Sequence, residues 1–512
     1  MAINTNKQKR AKEARIANWP HPSDDLYEKL GTTHEQLAQL QLAFQGTIVL
    51  PTDPEYDQDR QGNPLYPAYP KIIAYCQVFS DVKIALQWAH NQKDWVVTCR
   101  SGGHSTAGFS VNYGMVLDVS RINYVLVDKN TMQARVGAGA NWGQVIAELA
   151  ANQVHTVTGG CPDVGIGGFT QGGGYGFTSR EFGMSSDTIL EMTVMLAGGT
   201  IVVANKNNQY ADLFWAMRGG TGNNFGVLLE VVFQLYNVNT FWGFGIRWPL
   251  EDAPSALTLM QSQFMISGAP KELGYQTVIA TMSDGTQALA MLGMYDGSPA
   301  DGKAILQPLL NTQGANLFYD EVNTYDYLNE HLLDDNLNPP VDGLIEFKHA
   351  NYIAGPLYVG DWVQVIKYFW TSPNKYNIVV IEPYGGAINA VPVQASAFVH
   401  RDVYMDFFVD SFFDEAGDIT TREQAQGWLD GFMNLTAHFF NGEMYQNYPL
   451  RGYADFRWAY WGDAFNTLLQ IKNKYDPQNF FNFEQSISPY PDDPSIRRST
   501  ASSTPTTILD QL

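Results

Sequence analysis

A chain of 512 residues carries 52 acidic side chains against 31 basic ones, a formal net charge of −21. That excess disfavours general binding to nucleic acid or to an anionic membrane, because both recruit positive charge. Hydrophobic residues at 45% and charged ones at 16% describe a folded chain with several buried cores, and no apolar run reaches the length of a membrane span.

The first 20 residues read as a solvated lead-in, with Lys7, Lys9, Arg10, Lys12 and Arg15 along a short exposed helix. No apolar segment stands behind this basic stretch, so a secretory signal is not expected and a cytoplasmic location is the default expectation. From about Lys71 to Tyr236, short β-rich runs alternate with helical ones and glycine is dense. Ser80 is a candidate cap for a helix with Val82, Ala85, Leu86 and Ala89 at helical spacing. Strand-like runs follow at Trp95 to Cys99 and Met115 to Val119. Met192 to Leu196 and Thr200 to Val203 read as a hairpin turning on Ala197-Gly198-Gly199.

Beyond about Asn237, glycine thins out and longer alternating runs appear. Phe241 to Trp248 and Tyr404 to Val409 alternate polar or small residues with aromatics, the pattern of an antiparallel sheet with one covered face. Helical runs such as Ser255 to Phe264 are suited to cover it. After Tyr445 come loop, a helix over Trp461 to Tyr475 and a Ser/Thr/Pro-rich ending, read as a flexible tail over 496–512. The mixture predicts an α+β fold.

Three glycine clusters stand out. Arg100-Ser101-Gly102-Gly103-His104-Ser105 follows a predicted strand, where adjacent glycines free the backbone to aim its N–H groups at one point. Arg100, Ser101 and Ser105 are candidate additional donors. The second cluster runs from Gly159 to Gly176 and includes Gly160, Cys161, Val164, Gly165, Gly168, Gly174, Tyr175 and Gly176; the third runs from Gly219 to Gly226. Neither G-x-G-x-x-G nor G-x-x-x-x-G-K-[ST] spacing occurs, which argues against a Rossmann nucleotide site and excludes a P-loop. Together the clusters suggest an extended, flat, anionic ligand. The three cysteines, Cys76, Cys99 and Cys161, permit at most one disulfide. No metal site is expected, since neither His104 nor Cys161 has a second Cys or His at ligand spacing. Pro162 also spoils the helix that would activate a papain-like thiolate.

The motifs Arg100-Ser-Gly-Gly-His104-Ser, Gly160-Cys161-Pro and Gly-Gly-Gly-Tyr175-Gly resemble those of the berberine bridge enzyme-like flavoproteins, of the vanillyl-alcohol oxidase/p-cresol methylhydroxylase (PCMH) fold group. The resemblance continues through Trp215-Ala-Met-Arg218 to Asn224-Phe-Gly226-Val227 and through Tyr475 to Ile487, including Asn482. It implies a two-part FAD-binding domain over 1–236 (its PCMH-type core about 65–240), an antiparallel-sheet substrate domain covered by helices over 237–440, and a berberine-type return over 441–495. It further implies FAD attached covalently through His104 and Cys161, held in a site that includes the glycine-cluster residues named above with Gly226, Val227 and Asn482. Two tethers would leave a wide cleft, and electron-withdrawing substituents on the ring would favour hydride acceptance.

Hydride transfer from a carbinol carbon needs a base for the hydroxyl proton. The matching family motif, Met444-Tyr445-Gln446-Asn447-Tyr448, points to Tyr448; Tyr384 in Glu382-Pro-Tyr384-Gly-Gly is the second candidate. A tyrosine titrates near pH ~10, so such a base needs adjacent positive charge or donors. After His400-Arg401, where the family often places Gln or Glu, this chain has Phe408, which weakens an analogy with members that use a carboxylate base. Val164, third after Cys161, occupies the position where valine goes with oxidases and leucine with dehydrogenases. The expected activity is oxidation of a hydroxyl-bearing small molecule, such as a sugar, oligosaccharide or glycosylated metabolite, with dioxygen reduced to peroxide. Trp242, Trp248, Trp362 and Trp370 would suit stacking on such a substrate. A dehydrogenase with another acceptor and a non-catalytic flavin-binding protein are the alternatives, and no oligomeric state is implied.

Overall fold

The computed structural model describes residues 2–92, 95–238, 240–265, 268–334, 341 and 343–488; the expected tail lies outside them. Within the described residues, sixteen strands make three sheets. The first contains β1 (Thr47–Val49), β2 (Ile72–Tyr75), β3 (Val97–Arg100) and β4 (Met115–Asp118), in the order β1-β2-β4-β3. Its β2, β4 and β3 are parallel and β1 is antiparallel. The second contains β5 (Val125–Asp128), β6 (Gln133–Gly137), β7 (Ile189–Met195), β8 (Ile201–Ala204) and β9 (Val227–Gln234), antiparallel in the order β5-β6-β9-β7-β8. The expected hairpin is the β7–β8 pair, and Gly199 takes φ +80° in its turn, a conformation that costs glycine nothing.

The helix expected near Ser80 spans Phe79–His90, but its N-cap is Val78, and Ser80 lies inside the first turn. No side chain caps it; Asp81 in its first turn anchors the segments that precede it. Its buried carboxylate accepts from the backbone N–H groups of Gln77 (2.8 Å), Gln45 (2.8 Å) and Gly46 (3.0 Å), stitching the helix to the chain before β1. The N-terminal helix, Ala2–Ala17, is not wholly solvated: Arg15 binds the Ile48 carbonyl and the carboxylates of Asp53 and Glu55.

The third sheet has seven antiparallel strands: β10 (Thr240–Pro249), β11 (Leu273–Thr281), β12 (Gln287–Tyr295), β13 (Asn316–Thr324), β14 (Ile345–Ile353), β15 (Ile378–Pro383) and β16 (Met405–Phe413). Their order is β13-β10-β12-β11-β15-β16-β14. Strand alternation sends Trp242, Phe244, Ile246 and Trp248, with Met405, Phe407 and Val409, into a core beneath helices Ala253–Phe264, Val359–Phe369 and Arg422–Thr436. Val278, Ala290, Val380 and Phe408 point to the opposite face, where Tyr448 packs. The stacking expected of the tryptophans is not what three of them do. Trp242, Trp248 and Trp362 are fully buried on the helix side; Trp242 and Trp248 donate to Asp320 and Thr312. Trp370 is half exposed at the end of a covering helix.

The chain then returns. Helix Phe465–Tyr475 buries Lys472, whose ammonium donates to the carbonyls of Asn224 and Phe481, both at 2.6 Å, and to Asp476 at 2.7 Å. Ile487 N–H donates to the Asn224 side chain at 2.8 Å. One asparagine beside the third glycine cluster thus holds the C-terminal segment against the second sheet.

Candidate active site

Two glycine loops meet at one place. A Cβ built on Gly102 would stand 2.3 Å from the Gly165 nitrogen, and one on Gly165 would stand 2.2 Å from the Gly102 nitrogen. The loops carrying His104 and Cys161 are therefore in backbone contact, and neither glycine can be replaced without parting them. His104, Cys161 and Gly168 are exposed, and nothing lies within 4 Å of a Cβ at Gly160 or Gly168. None of the N–H groups of Gly102, Gly103, His104 or Ser105 donates to another group among the described residues. Gly103 reaches this conformation with φ +80°.

Other glycines in the clusters make room for protein. Gly174, at φ +85°, leaves space for the Phe169 ring, Gly176 for the Thr158 carbonyl and Gly226 for that of Met195. Arg100 is buried and committed: its guanidinium pairs with Asp118 at 2.5 Å and donates to the Asp59 carbonyl at 2.7 Å. Ser101 donates to the Ala138 carbonyl at 2.7 Å, and Ser105 accepts from Phe109 N–H at 3.1 Å. Val227 is core at the start of β9, and Asn482 donates to the Asn479 carbonyl. Val164 is half-buried; its N–H reaches the Cys161 carbonyl at 3.4 Å, and its carbonyl accepts from Trp142 at 3.1 Å. From the third sheet's side, Asn329 donates to the Gly160 carbonyl at 3.0 Å, fixing the backbone next to Cys161.

Open peptide donors beside a neutral imidazole and an exposed thiol are a donor set that fits a flavin dinucleotide. The loop amides suit its phosphates. Partial desolvation lowers the His104 pKa, against the opposing pull of Asp163 and Glu346.

Tyr448 lies half-buried over the open face of the third sheet. Its hydroxyl donates to Glu382 Oε1 at 3.3 Å, and Gln276 Nε2 donates to the same oxygen at 2.8 Å. Lys348 Nζ stands 5.2 Å from the Tyr448 ring centre and 4.0 Å from that of Phe408, held by Asp410 at 2.5 Å and Glu346 at 3.0 Å. Burial pushes Tyr448 well above the usual tyrosine range. Burial likewise pushes Glu382 up to about 7, opposed by Lys348 and by the hydrogen bonds from Tyr448 and Gln276. Tyr384 is fully buried, its hydroxyl 2.8 Å from that of Tyr352 and its ring stacked on Tyr175. Tyr175 in turn donates to the Pro383 carbonyl at 3.0 Å.

Sequence reasoning singled out the tyrosine of Glu382-Pro-Tyr384 and passed over its carboxylate. It also missed Gln276, Lys348, Asp406 and Asn329. A signal was present: Glu382, Asp406 and Asp410 each interrupt runs of apolar strand residues, where an ionisable side chain is costly unless used. The apolar Phe408 does not leave the site without a carboxylate; one arrives from the neighbouring strand, β15.

The residues 70–205 match the model of an FAD-binding domain, and 444–488 match that of berberine and berberine-like proteins. The FAD-linked oxidoreductase dpmaF of Metarhizium anisopliae is 30% identical over 420 residues, 76% of this chain and 79% of that one. The carbohydrate oxidase of Microdochium nivale is 28% identical, covering 86% and 92%. Among solved structures, Physcomitrella patens BBE-like 1 superposes with a TM-score of 0.79 at 25% identity, over 89% of this chain and 98% of that one. The glycine loops, the three-sheet fold and these similarities place the chain in the family of berberine bridge enzyme-like FAD-linked oxidoreductases.

Proposed function

We propose that the protein is an oxidase of carbohydrate hydroxyl groups, with Tyr448 and Glu382 as its proton-accepting unit, FAD tethered through His104 and Cys161, and dioxygen as terminal acceptor. The observation that carries the reading is the Tyr448–Glu382 hydrogen bond above the open face of the third sheet. The flavin, when bound, supplies the hydride acceptor for the carbinol carbon. Tyr448 takes the hydroxyl proton as its own passes to Glu382, because a buried phenol is not a resting phenolate at neutral pH. Gln276 holds the receiving carboxylate, and Lys348 favours its charged form. Relatives named as carbohydrate, xylooligosaccharide and chitooligosaccharide oxidases support a sugar as substrate. Val164 supports dioxygen as acceptor, through the family association described above.

The test is anaerobic mixing of the flavin-loaded protein with a panel of mono- and oligosaccharides, followed by admission of air. Bleaching by a sugar and stoichiometric peroxide on reoxidation are expected. Bleaching without peroxide would indicate a dehydrogenase, and no bleaching by any sugar would overturn the substrate class.

A further inference from the structure

Glu382 has a neighbour that the proton-accepting unit does not use. Strands β15 and β16 pair antiparallel, and their register sets Glu382 directly opposite Asp406. Both side chains are fully or almost fully buried, Asp406 at 0% exposure and Glu382 at 2%. Residues directly opposite on one face have Cβ atoms only about 5 Å apart. Two carboxylates so placed in a dry site cannot both ionise at ordinary cost.

Their surroundings are unequal. Glu382 Oε1 accepts from Tyr448 and Gln276, whereas no side-chain donor reaches either oxygen of Asp406. From β14, Tyr352 sits opposite Asp406 in register and Lys348 lies further along the strand, paired with Asp410 and Glu346. Tyr384, Tyr175, Tyr445 and Tyr448 raise no positive charge towards Asp406, and Arg180 is spent on backbone carbonyls. Donors stabilise an anion, so the pair's negative charge belongs on Glu382.

We propose that Asp406 is a positioning residue that stays a neutral carboxylic acid and so keeps Glu382 ionised as the acceptor of the Tyr448 proton. Above the Glu382 midpoint of about 7 the pair then stores one proton. A second arrives when Tyr448 delivers it, and the charge that disappears is that of Glu382 alone. Burial first, and the Glu382 charge second, push the Asp406 acid well above the carboxylate range, against the pull of Lys348 and of the Phe407 backbone N–H, in agreement with this assignment. The proposal rests on the reading of Tyr448 as the hydroxyl's base.

Infrared difference spectroscopy on the flavin-loaded protein tests it without turnover. Above the Glu382 midpoint of about 7, a deuterium-sensitive protonated-carboxyl band is expected in the unmodified protein and should be missing from the spectrum of Asp406→Asn, so that it stands out in the difference between the two. The second readout is the pH profile of flavin reduction by substrate. In Asp406→Asn the acid limb, set by Glu382, should stay in place, and an alkaline transition present in the unmodified protein should vanish. Absence of the band, or an acid limb moved to lower pH in the variant, would show that Asp406 is ionised and overturn the proposal. A Tyr448→Phe variant reducing its flavin at full rate would overturn the role of Tyr448, and with it that of Asp406, even with the band present.

Discussion

At the scale of single residues, the chemistry depends on how much burial each titratable group tolerates. Tyr448→Phe removes one oxygen and almost no volume, so folding and flavin content should survive while flavin reduction slows by a factor of roughly 10²–10⁴. Stopped-flow absorbance with excess substrate measures it, and an unchanged rate would return attention to Tyr384. Glu382 supplies a pH signature with opposite signs for activity and stability. Its folded pKa of about 7 lies above the ordinary 4.5, so the folded state holds more protons between those values. Conformational stability should therefore decline as pH rises from about 4.5 to about 7, while flavin reduction rises as the carboxylate ionises. Urea unfolding of the unmodified protein and of Glu382→Gln across that window measures the difference, which should grow with pH. At Val164 one methylene is at stake: Val164→Leu should slow reoxidation by air roughly tenfold or more, with substrate reduction nearly intact. Equal reoxidation rates would mean that Val164 merely packs.

At the scale of elements, the C-terminal helix is held by one buried cation. Lys472 satisfies two carbonyls and Asp476 at once, and Asp476 also accepts the N–H groups of Phe480 and Phe481. Lys472→Met keeps the length of the side chain but leaves Asp476 uncompensated and the Asn224 and Phe481 carbonyls without a donor. Destabilisation of about 3–5 kcal/mol is expected from denaturant unfolding, more than for an exposed lysine such as Lys474 in the same helix. The hairpin of β7 and β8 and the alternation of β10 and β16 were legible because they follow a period of two. The role of Asp81 at the start of helix Phe79–His90 was not, because it gathers N–H groups from a segment more than thirty residues away.

At the scale of the molecule, backbone contact between Gly102 and Gly165 brings the loops of His104 and Cys161, the two proposed attachment residues, together. Peptide mapping should find one flavin bridging two peptides. His104→Ala and Cys161→Ala should each retain flavin through the remaining link after denaturation, with an altered absorption spectrum. Complete release of flavin from the unmodified protein on denaturation would sink the double attachment. Asn329, reaching from the helix after β13 to the Gly160 carbonyl, ties this site to the third sheet.

The sequence by itself determined the α+β class, most of the strands and the family, because glycine motifs and alternating strands are local patterns written in neighbouring residues. It also led to Tyr448 through a short motif. Tertiary structure alone decided that Glu382 hydrogen-bonds that tyrosine, that Asp406 stands opposite Glu382, that Arg100 pairs with Asp118, and that three of the tryptophans are buried on the helix side. Those outcomes depend on register between strands and on which face of the sheet the helices cover. Hydrogen bonding and burial join residues far apart in the chain, such as Tyr448 and Glu382, and no spacing in the sequence encodes the pairing.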